Sequence, residues 1–596
     1  MSTGKNAKNF IVAIDQEKIE PDLAKETVIK YDPLNRSGKE GGFYLTDEGE
    51  LHIENEKVME AHKMAINKYP HDDAIKLIRL DREFGDKIHQ FGENSFRLYG
   101  LPEPQEGRVV GILGRNGIGK STALKILSGQ IKPNLGEPDG NPGWDQVMQR
   151  YRGTQLQDHF RDLSNDNVDA AFKPQQVDKM PELHGGKVRD FLEEKDERNV
   201  LGEISNQLEI DQILDRDMSE LSGGELQRVA IAATLVRDAS MYVVDEPSSF
   251  LDVKQRLNMA EIISNMGDER EVLVVEHDLA TLDLISSTTH VFHGEPQGYG
   301  MVSNSFSTRQ GINQYLDGYL QTHNLRIRDD SIKFDRTKRS QVENKAEVAK
   351  YPGFKKSFGD GEFSLDSDHG SIHEEEILGI LGENGVGKTT FAKMLAGGIE
   401  PDRGESPKKS ISYKPQYLEA EDKTVEQALK NHVNPEEKRF KTRISEPLEL
   451  EELYDQNLKE LSGGELQRVG VAICLARDAD IYLLDEPSAY LDVESRVELG
   501  KTLKRFARKT GKPLLVIDHD LLLMDYIADR GIIFTGEPGN KGTATQPMKI
   551  EEAMNRFLKE MDLTFRKDPD TGRPRANKPG SQKDQQQRKR NEYYEQ

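Results

Sequence analysis

The sequence predicts an α/β protein in which one domain occurs twice, and three features of the chain carry that expectation. LSGGELQRV begins at Leu221 and again at Leu461, 240 residues apart. Each copy is followed by an apolar run that ends in an acidic pair, MYVVDEPSSFLDV from Met241 and IYLLDEPSAYLDV from Ile481, with Asp245 and Asp485 again 240 apart. Each is preceded by a glycine-rich loop, GRNGIGKS (Gly114 to Ser121) or GENGVGKT (Gly382 to Thr389). Further on come VLVVEHDL and LLVIDHDL, whose His277 and His519 are 242 residues apart. Four ordered motifs, each present twice, mark a duplicated domain.

Taken along the chain, FIVAID and AIKLIRL read as the first and last strands of a small N-terminal sheet. GRVVGILG and EEILGILG are short apolar runs leading into the glycine loops, the pattern of a buried parallel strand. STALKILSG and TTFAKMLAG read as helices starting at Ser121 and Thr389. MYVVDE, IYLLDE, VLVVEHD and PLLVIDHD supply further buried strands. The copies differ in one place: Gly114 to the glutamine of the first KPQ, Gln175, spans 61 residues, whereas Gly382 to Gln416 spans 34. The extra 27 or so residues fall around WDQVMQRYRGTQLQDHFRDL, whose aromatic and leucine spacing predicts a helical insertion from Trp144 to Leu163. It reads either as a tolerated loop elaboration or as a docking element. A charged connector spans His323 to Lys345. Beyond Phe565 the chain is rich in Arg, Lys, Gln, Pro and Asn, which predicts disorder in its last dozen residues.

Composition narrows the class. The 596 residues suffice for three or more domains. A net charge of −23 excludes an overall basic nucleic-acid binder while leaving room for local basic patches. No run approaches the roughly 18 apolar residues of a membrane helix. MSTGKNAKNF has no apolar h-region, so no secretory signal is expected. The single cysteine, Cys474, excludes an internal disulfide and a thiolate metal cage. A soluble cytoplasmic protein is expected, without membrane partners.

Both glycine loops fit G-x-x-x-x-G-K-[ST] between a strand and a helix, where backbone N–H groups and the helix N-terminus receive phosphate. The expected ATP-binding residues are therefore Gly114, Arg115, Asn116, Gly117, Ile118, Gly119, Lys120, Ser121 and Thr122. In the second copy they are Gly382, Glu383, Asn384, Gly385, Val386, Gly387, Lys388, Thr389 and Thr390. Lys120 and Lys388 reach the β- and γ-phosphates, and Ser121 and Thr389 hold Mg²⁺. Asp245 and Asp485 are the carboxylates on the Mg²⁺ side. Glu246 and Glu486, one residue on, are the expected bases that polarise the attacking water. Gln175 and Gln416 sense metal and water, and His277 and His519 contact the γ-phosphate.

With LSGGE the chain resembles the ATP-binding cassette superfamily, in which two cassettes face head to tail and each signature motif caps the other cassette's ATP. That resemblance implies that Ser222, Gly223 and Gly224 close on ATP held by Lys388. Ser462, Gly463 and Gly464 would close on ATP held by Lys120. Asp252 and Asp492 match the D-loop that couples the sites. Phe91, and Tyr351 in YPGF, stand where an aromatic ring stacks on adenine. Within the superfamily the chain resembles subfamily E, the ribosome-recycling ATPases of the RNase L inhibitor family. The matching residues are GRNGIGKSTALKILSGQIKPNLG, YRGTQLQDHF, KPQQVD, DEPSSFLDVKQR, VVEHDLATLD and two hinge segments, FSTRQGINQYLDGY with NLRIRD and FLKEMDLTFRKDPDTGRPRANK.

The N-terminus departs from that family, which holds two [4Fe–4S] clusters on eight cysteines. Ile19, Ala24, Val28 and Asp32, then Met59, His62, Ala65 and Tyr69, stand at the cysteine positions. No iron–sulfur cluster is expected, since His62 alone does not make a site, and apolar side chains are expected to fill the volume.

The resemblance implies a ferredoxin-like domain over 1–75 without cluster ligands. Cassette 1 spans 76–318 with a helix–loop–helix insertion near 140–165, hinge 1 spans 319–345, cassette 2 spans 346–550, and 551–596 form hinge 2 with a basic tail. The implied activity is a Mg²⁺-dependent ATPase that binds the small ribosomal subunit and its rRNA, acts with a release or recycling factor, and splits ribosomes. It would work as a monomer whose cassettes pair internally. Arg326, Arg328, Lys333, Arg336, Lys338 and Arg339 in the first hinge, with Arg566, Lys567, Arg573, Arg575 and Lys578 in the second, offer cations to rRNA against the acidic whole. The alternatives are a ribosome-anchored initiation scaffold and a transporter ATPase subunit.

Overall fold

The computed structural model describes residues 10–71, 74–80, 85–334, 345–359, 363–418 and 420–595. Among them, two nine-stranded sheets repeat one strand order. In cassette 1 the strand Val109–Leu113 is buried throughout and pairs in parallel with Glu271–Val275 on one side and Thr288–Glu295 on the other. Met241–Asp245 and then Ala170–Lys173 extend the parallel part. In cassette 2 the same places are taken by Ile377–Gly382, Leu514–Ile517, Arg530–Glu537, Ile481–Asp485 and Ile411–Lys414. Strands apolar on both faces are what a sheet covered by helices requires. The helices after the glycine loops run Lys120–Leu127 and Lys388–Leu395, each one residue earlier than the spacing predicts.

The insertion is a pair of helices, Trp144–Arg150 and Gln155–Ser164. It is no loop laid on the surface, because Val147, Tyr151, Leu156 and Phe160 are buried in the core that holds the first glycine loop's helix. His159 Nε2 also lies 2.8 Å from the Leu127 carbonyl at the end of that helix.

In the N-terminal domain Phe10–Ile14 and Ile75–Arg79 pair antiparallel along their full length, so the domain runs past residue 75 to Arg79. Ala24, Val28, Ala65 and Tyr69 are buried together with Val12, Ile14, Phe43, Leu51, Ile53 and Ile75, and Ile19 packs against them. Met59, by contrast, is 38% exposed and fills none of this volume. The remaining two positions form a polar pair: His62 Nε2 lies 3.4 Å from Asp32 Oδ2 with both side chains fully buried. Asp32 also accepts the backbone N–H groups of Leu34, Asn35 and Phe43 at 2.7, 2.9 and 3.1 Å. Three backbone donors, with the His62 ring beside them, answer this buried carboxylate, which is what makes its burial tolerable. Asn94 fastens the domain to cassette 1 by bonds with the Ile14 N–H and both backbone groups of Ile53.

The hinges stitch the cassettes together. Helix Thr308–Asp317 and the hairpin Tyr319–Leu320 with Leu325–Arg326 form the first, and Ile332 and Phe334 bury themselves with Val493, Val497 and Leu522 of cassette 2. The second is helix Ile550–Glu560 followed by the hairpin Phe565–Lys567 with Pro574–Ala576. Its arginines are spent inside the protein: Arg573, fully buried, and Arg575 both reach Asp283 Oδ2 at 2.8 Å, while Arg328 of the first hinge reaches Glu494 at 2.7 Å. These three are therefore not free cations for rRNA, contrary to the expectation from charge. Arg326, Lys333 and Lys578 are exposed; Arg336, Lys338 and Arg339 lie outside the described residues.

The expected disorder at the C-terminus is also overturned. Helix Gln582–Lys589 packs back on the hinge, and Tyr594 is buried with its N–H bonded to Asn555. A buried polar network carries this end: Thr564 donates to Asp584 at 2.7 Å, Asn577 donates to Thr564 at 2.8 Å, and Gln587 donates to the Phe565 carbonyl at 2.8 Å.

Candidate active site

The two glycine loops are built alike. In each the lysine folds back into its own loop, Lys120 Nζ to the carbonyls of Gly114 (2.9 Å) and Arg115 (2.6 Å), and Lys388 Nζ to those of Gly382 (2.9 Å) and Glu383 (2.5 Å). Burial pulls both lysine pKa values down, against the pull of the acidic pairs. Ile118 and Val386 anchor the loops from behind, almost fully buried. Gly119 has φ +88°, and a Cβ there would sit 2.5 Å from the Phe96 ring; Gly387, at φ +95°, meets Phe363 at 2.9 Å. Only glycine satisfies both constraints.

Around each loop the expected chemistry converges. Ser121 donates to Asp245 Oδ2 at 3.1 Å and Thr389 to Asp485 Oδ2 at 2.8 Å, so hydroxyl and carboxylate oxygens stand together at the head of the helix. Gln175 Nε2 reaches Glu246 Oε1 at 2.7 Å, and Gln416 Nε2 reaches Glu486 Oε1 at 2.9 Å. The same carboxylate oxygens lie 3.3 Å from His277 Nε2 and 3.6 Å from His519 Nε2. Thr122 and Thr390 follow in the first turns, half-buried. Burial pushes the Glu246 carboxyl up, but His277, Lys120 and Lys173 outweigh it and hold the group at about 2. Glu486 moves in the same direction through His519, Lys388 and Gln416. Asp245 and Asp485 go the other way, raised by burial and by the neighbouring glutamate. Both glutamates take a left-handed backbone, φ +48° at Glu246 and +47° at Glu486, a conformation a non-glycine residue holds only at a cost of about 1 kcal/mol or more.

The sites lie between the cassettes. Asp252 Oδ2 accepts the Asn384 N–H at 2.7 Å, and Asp492 Oδ2 accepts the Asn116 N–H at 3.0 Å, so each D-loop holds the opposite glycine loop. Phe250 and Tyr490 meet edge to face at the centre, ring centroids 5.2 Å apart. Arg115 adds Glu494 at 3.4 Å across the same seam. Ser222 and Ser462 cap the signature helices Gly223–Leu235 and Gly463–Ala476, each in a reciprocal pair with a glutamate three residues on. Gly223 comes close to Tyr417 of cassette 2: a Cβ on it would lie 3.3 Å from the Tyr417 hydroxyl. Gly224, Gly463 and Gly464 pack on the D-loop residues Phe250 and Tyr490 of their own cassettes.

Two aromatic assignments part ways. Phe91 is 54% exposed and free to stack. Tyr351 is 2% exposed, lies flat on Phe354 with centroids 5.8 Å apart and meets Phe391 edge-on, so it belongs to the core and cannot serve as an adenine platform. The counterpart of Phe91 is Phe358. It sits across from Phe363 as Phe91 sits across from Phe96, and both partner rings abut the equivalent loop glycines. Sequence reasoning also missed Lys173 and Lys414, the lysines of the two KPQ segments, which are almost fully buried. Burial pulls both down to about 8 even though the acidic pairs pull the other way. The signal was in view, a lysine closing an apolar strand in both copies.

Similar proteins fit this geometry. The ABC transporter family model matches residues 103–249 and 365–489. An uncharacterized ABC transporter ATP-binding protein of Methanocaldococcus jannaschii is 46% identical, over 98% of this chain and 97% of the relative. A solved structure described as a model of ribosome-bound archaeal Pelota and ABCE1 matches with TM-score 0.93 at 44% identity, covering 99% of this chain and 100% of that one. A second, of archaeal ribosomal stalk protein aP1 with the archaeal ribosome recycling factor aABCE1, matches with TM-score 0.80 at 48% identity, covering 85% and 99%. Matched over nearly its whole length by the Methanocaldococcus jannaschii relative and by the ribosome-bound ABCE1 structure, the chain belongs to the E family of ATP-binding cassette ATPases.

Proposed function

We propose that this protein is a Mg²⁺-dependent ATPase that grips the small ribosomal subunit and uses ATP-driven closure of its cassettes to separate ribosomes for recycling. The observation that carries the reading is the exchange of D-loop contacts, Asp252 to Asn384 and Asp492 to Asn116. It puts each glycine loop against the opposite cassette, so a nucleotide bound there would bear on both halves at once. The relative described as an archaeal ribosome recycling factor, and the ribosome-bound one, support the ribosome as target.

In this reading ATP binds residues 114–122 and 382–390, with Phe91 and Phe358 against the bases. Ser222, Gly223 and Gly224 close the site of Lys388, and Ser462, Gly463 and Gly464 close that of Lys120. The oxygen donors Ser121, Asp245 and Gln175, with Thr389, Asp485 and Gln416 in the second site, suit a hard divalent cation. Mg²⁺ held there would neutralise phosphate charge. Glu246 and Glu486 remain ionised throughout the neutral range and polarise the attacking water, with His277 and His519 beside them. The N-terminal domain works without an iron–sulfur cluster, as a packed arm on residues 10–79. Residues 76–318 and 346–550, adjusted for that arm, are the cassettes, and 319–345 and 551–596 are the hinges. The place of work is the cytoplasm, with a release or recycling factor bound alongside on the ribosome.

Glu246→Gln with Glu486→Gln tests the catalytic part. Equilibrium binding of a fluorescent ATP analogue should be kept while turnover falls about 100-fold or more, because an amide orients water without accepting its proton. Turnover equal to wild type would reject the assignment.

A further inference from the structure

Each KPQ segment touches the acidic pair of its own cassette twice. The strand Ala170–Lys173 runs parallel to Met241–Asp245 with Lys173 opposite Val244, and Ile411–Lys414 runs parallel to Ile481–Asp485 with Lys414 opposite Leu484. That register brings the lysine side chain to the C-terminal end of the neighbouring strand. There Lys173 Nζ donates to the Asp245 carbonyl at 2.8 Å and to the Glu246 carbonyl at 3.3 Å. Lys414 Nζ does the same at 2.9 and 3.4 Å. These two carbonyls belong to the peptide groups on either side of the glutamate α-carbon, the atom whose backbone is left-handed in both cassettes. Two residues on, Gln175 and Gln416 hold the carboxylate of the same glutamate. In cassette 1 a second amide joins from the signature helix, Gln227 Nε2 donating to the carbonyls of Glu246 at 2.7 Å and Pro247 at 2.9 Å.

From this geometry we propose that Lys173 and Lys414 are positioning residues for hydrolysis, which clamp the main chain of Glu246 and Glu486 so that the carboxylate is aimed at the attacking water. In this role the lysine acts through the glutamate, whose carbonyls it holds, rather than on the nucleotide itself. Burying a charged amine for structure alone is a poor bargain when a leucine would fill the strand end. Here the ammonium answers the two carbonyls that flank a left-handed glutamate, and it does so in both cassettes although the surrounding sequences differ, AAFK in one and ISYK in the other. A carbonyl pair clamped from one point fixes the rotation of the peptide on each side, and so the direction of the side chain. Small errors in that direction are expensive in rate, since misplacement by about 1 Å can cost on the order of 100-fold.

The inference rests on the reading of Glu246 and Glu486 as the hydrolytic carboxylates, and the experiment separates the two. Steady-state ATP turnover of the full chain is measured for Lys173→Met with Lys414→Met, for Glu246→Gln with Glu486→Gln, and for all four changes together. Methionine keeps the length and loses the donors. The lysine variant should lose about 10-fold or more in kcat while KM for ATP stays within about twofold. In the glutamine background the same lysine changes should have no further effect on single-turnover hydrolysis, because the group they aim is already gone. If the glutamine variant alone hydrolyses like wild type, the catalytic assignment fails and this proposal with it. If the glutamine variant is dead but the methionine variant keeps wild-type kcat, only the positioning role is overturned. A fall in kcat matched by a rise in KM, or a full multiplicative effect in the glutamine background, overturns it as well. Should the methionine pair fail to fold, Lys173→Leu and Lys414→Leu, which also remove the donors, are read by the same criteria.

Discussion

Asp252 Oδ2 accepts the backbone N–H of Asn384 at 2.7 Å, a hydrogen bond from the D-loop of one cassette to the glycine loop of the other. Its mirror image joins Asp492 to Asn116. Each aspartate also caps the helix that follows it, Val253–Gly267 or Val493–Thr510, so the contact is braced on a long rigid element. Each cassette's glycine loop is thereby joined, through one carboxylate, to a long helix of the opposite cassette.

Asp252→Ala with Asp492→Ala should uncouple the cassettes. Each charged hydrogen bond of this kind contributes about 1.5–3 kcal/mol. Distance probes placed on the two cassettes should show that a non-hydrolysable ATP analogue no longer closes the variant as fully as wild type. Undiminished closure would remove the D-loop from the coupling path.

The insertion contributes both core and surface, and the two can be separated. Removing Tyr151 to Leu163 would strip Leu156 and Phe160 from the core of cassette 1, at about 2–5 kcal/mol for each. Exposed Gln149 and Arg152 carry no such load. Gln149→Glu with Arg152→Glu should leave ATP turnover within about twofold while weakening small-subunit binding, most strongly at low salt. Equal affinity would return the insertion to a purely structural element.

In the N-terminal domain, Asp32→Ala should be the most damaging single change. It orphans three backbone N–H groups and the buried His62, at about 2–4 kcal/mol. Hydrogen exchange should quicken in Phe10–Ile14 and Ile75–Arg79 and stay slow in the cassette sheets. Iron analysis of the wild-type protein should find none, since apolar side chains and the Asp32–His62 pair fill the core of this domain and no cysteine is among them. Stoichiometric iron and sulfide would overturn the cluster-free arm.

Much of this architecture was legible because repetition made it so. Duplicated motifs mark both sheets, and apolar runs ending in Asp245 and Asp485 place the acidic pairs at strand ends. What stayed hidden has physical causes. Tyr351 and Phe358 lie seven residues apart, and which ring is left outside the core depends on the pairing of Phe358 with Phe363, a register that periodicity does not encode. Residues after Phe565 looked disordered because their core is polar: Asn577, Asp584 and Gln587 are buried by mutual hydrogen bonds, which no hydropathy pattern reveals. Arg573 and Arg575 looked like surface charge, and their partner Asp283 lies some 290 residues away in sequence.

The second hinge should be acid-sensitive. Burial pushes the Asp568 carboxyl up, but the N–H groups of Asp570 and Thr571 with Arg309 and Arg573 outweigh it and hold the group at about 2, below its ordinary 3.8. A lowered folded-state value means stability present above about pH 4 and lost as pH falls through 2. Its loss would free Arg309, which reaches Asp568 at 3.0 Å and so ties the first hinge to the second. Between pH 4 and 2, Asp568→Asn should lessen the slope of stability against pH by up to one proton. An unchanged slope would show that Asp568 titrates alike in folded and unfolded chains.

The central claim, that nucleotide-driven closure of the cassettes acts on the ribosome, is tested most directly by co-sedimentation of the protein with small subunits and with intact ribosomes, each with and without a non-hydrolysable ATP analogue. The account predicts that the analogue greatly strengthens binding to the small subunit and that Glu246→Gln with Glu486→Gln stays bound there in ATP alone. Binding that is absent, or equally strong with and without nucleotide for both wild type and variant, would contradict it.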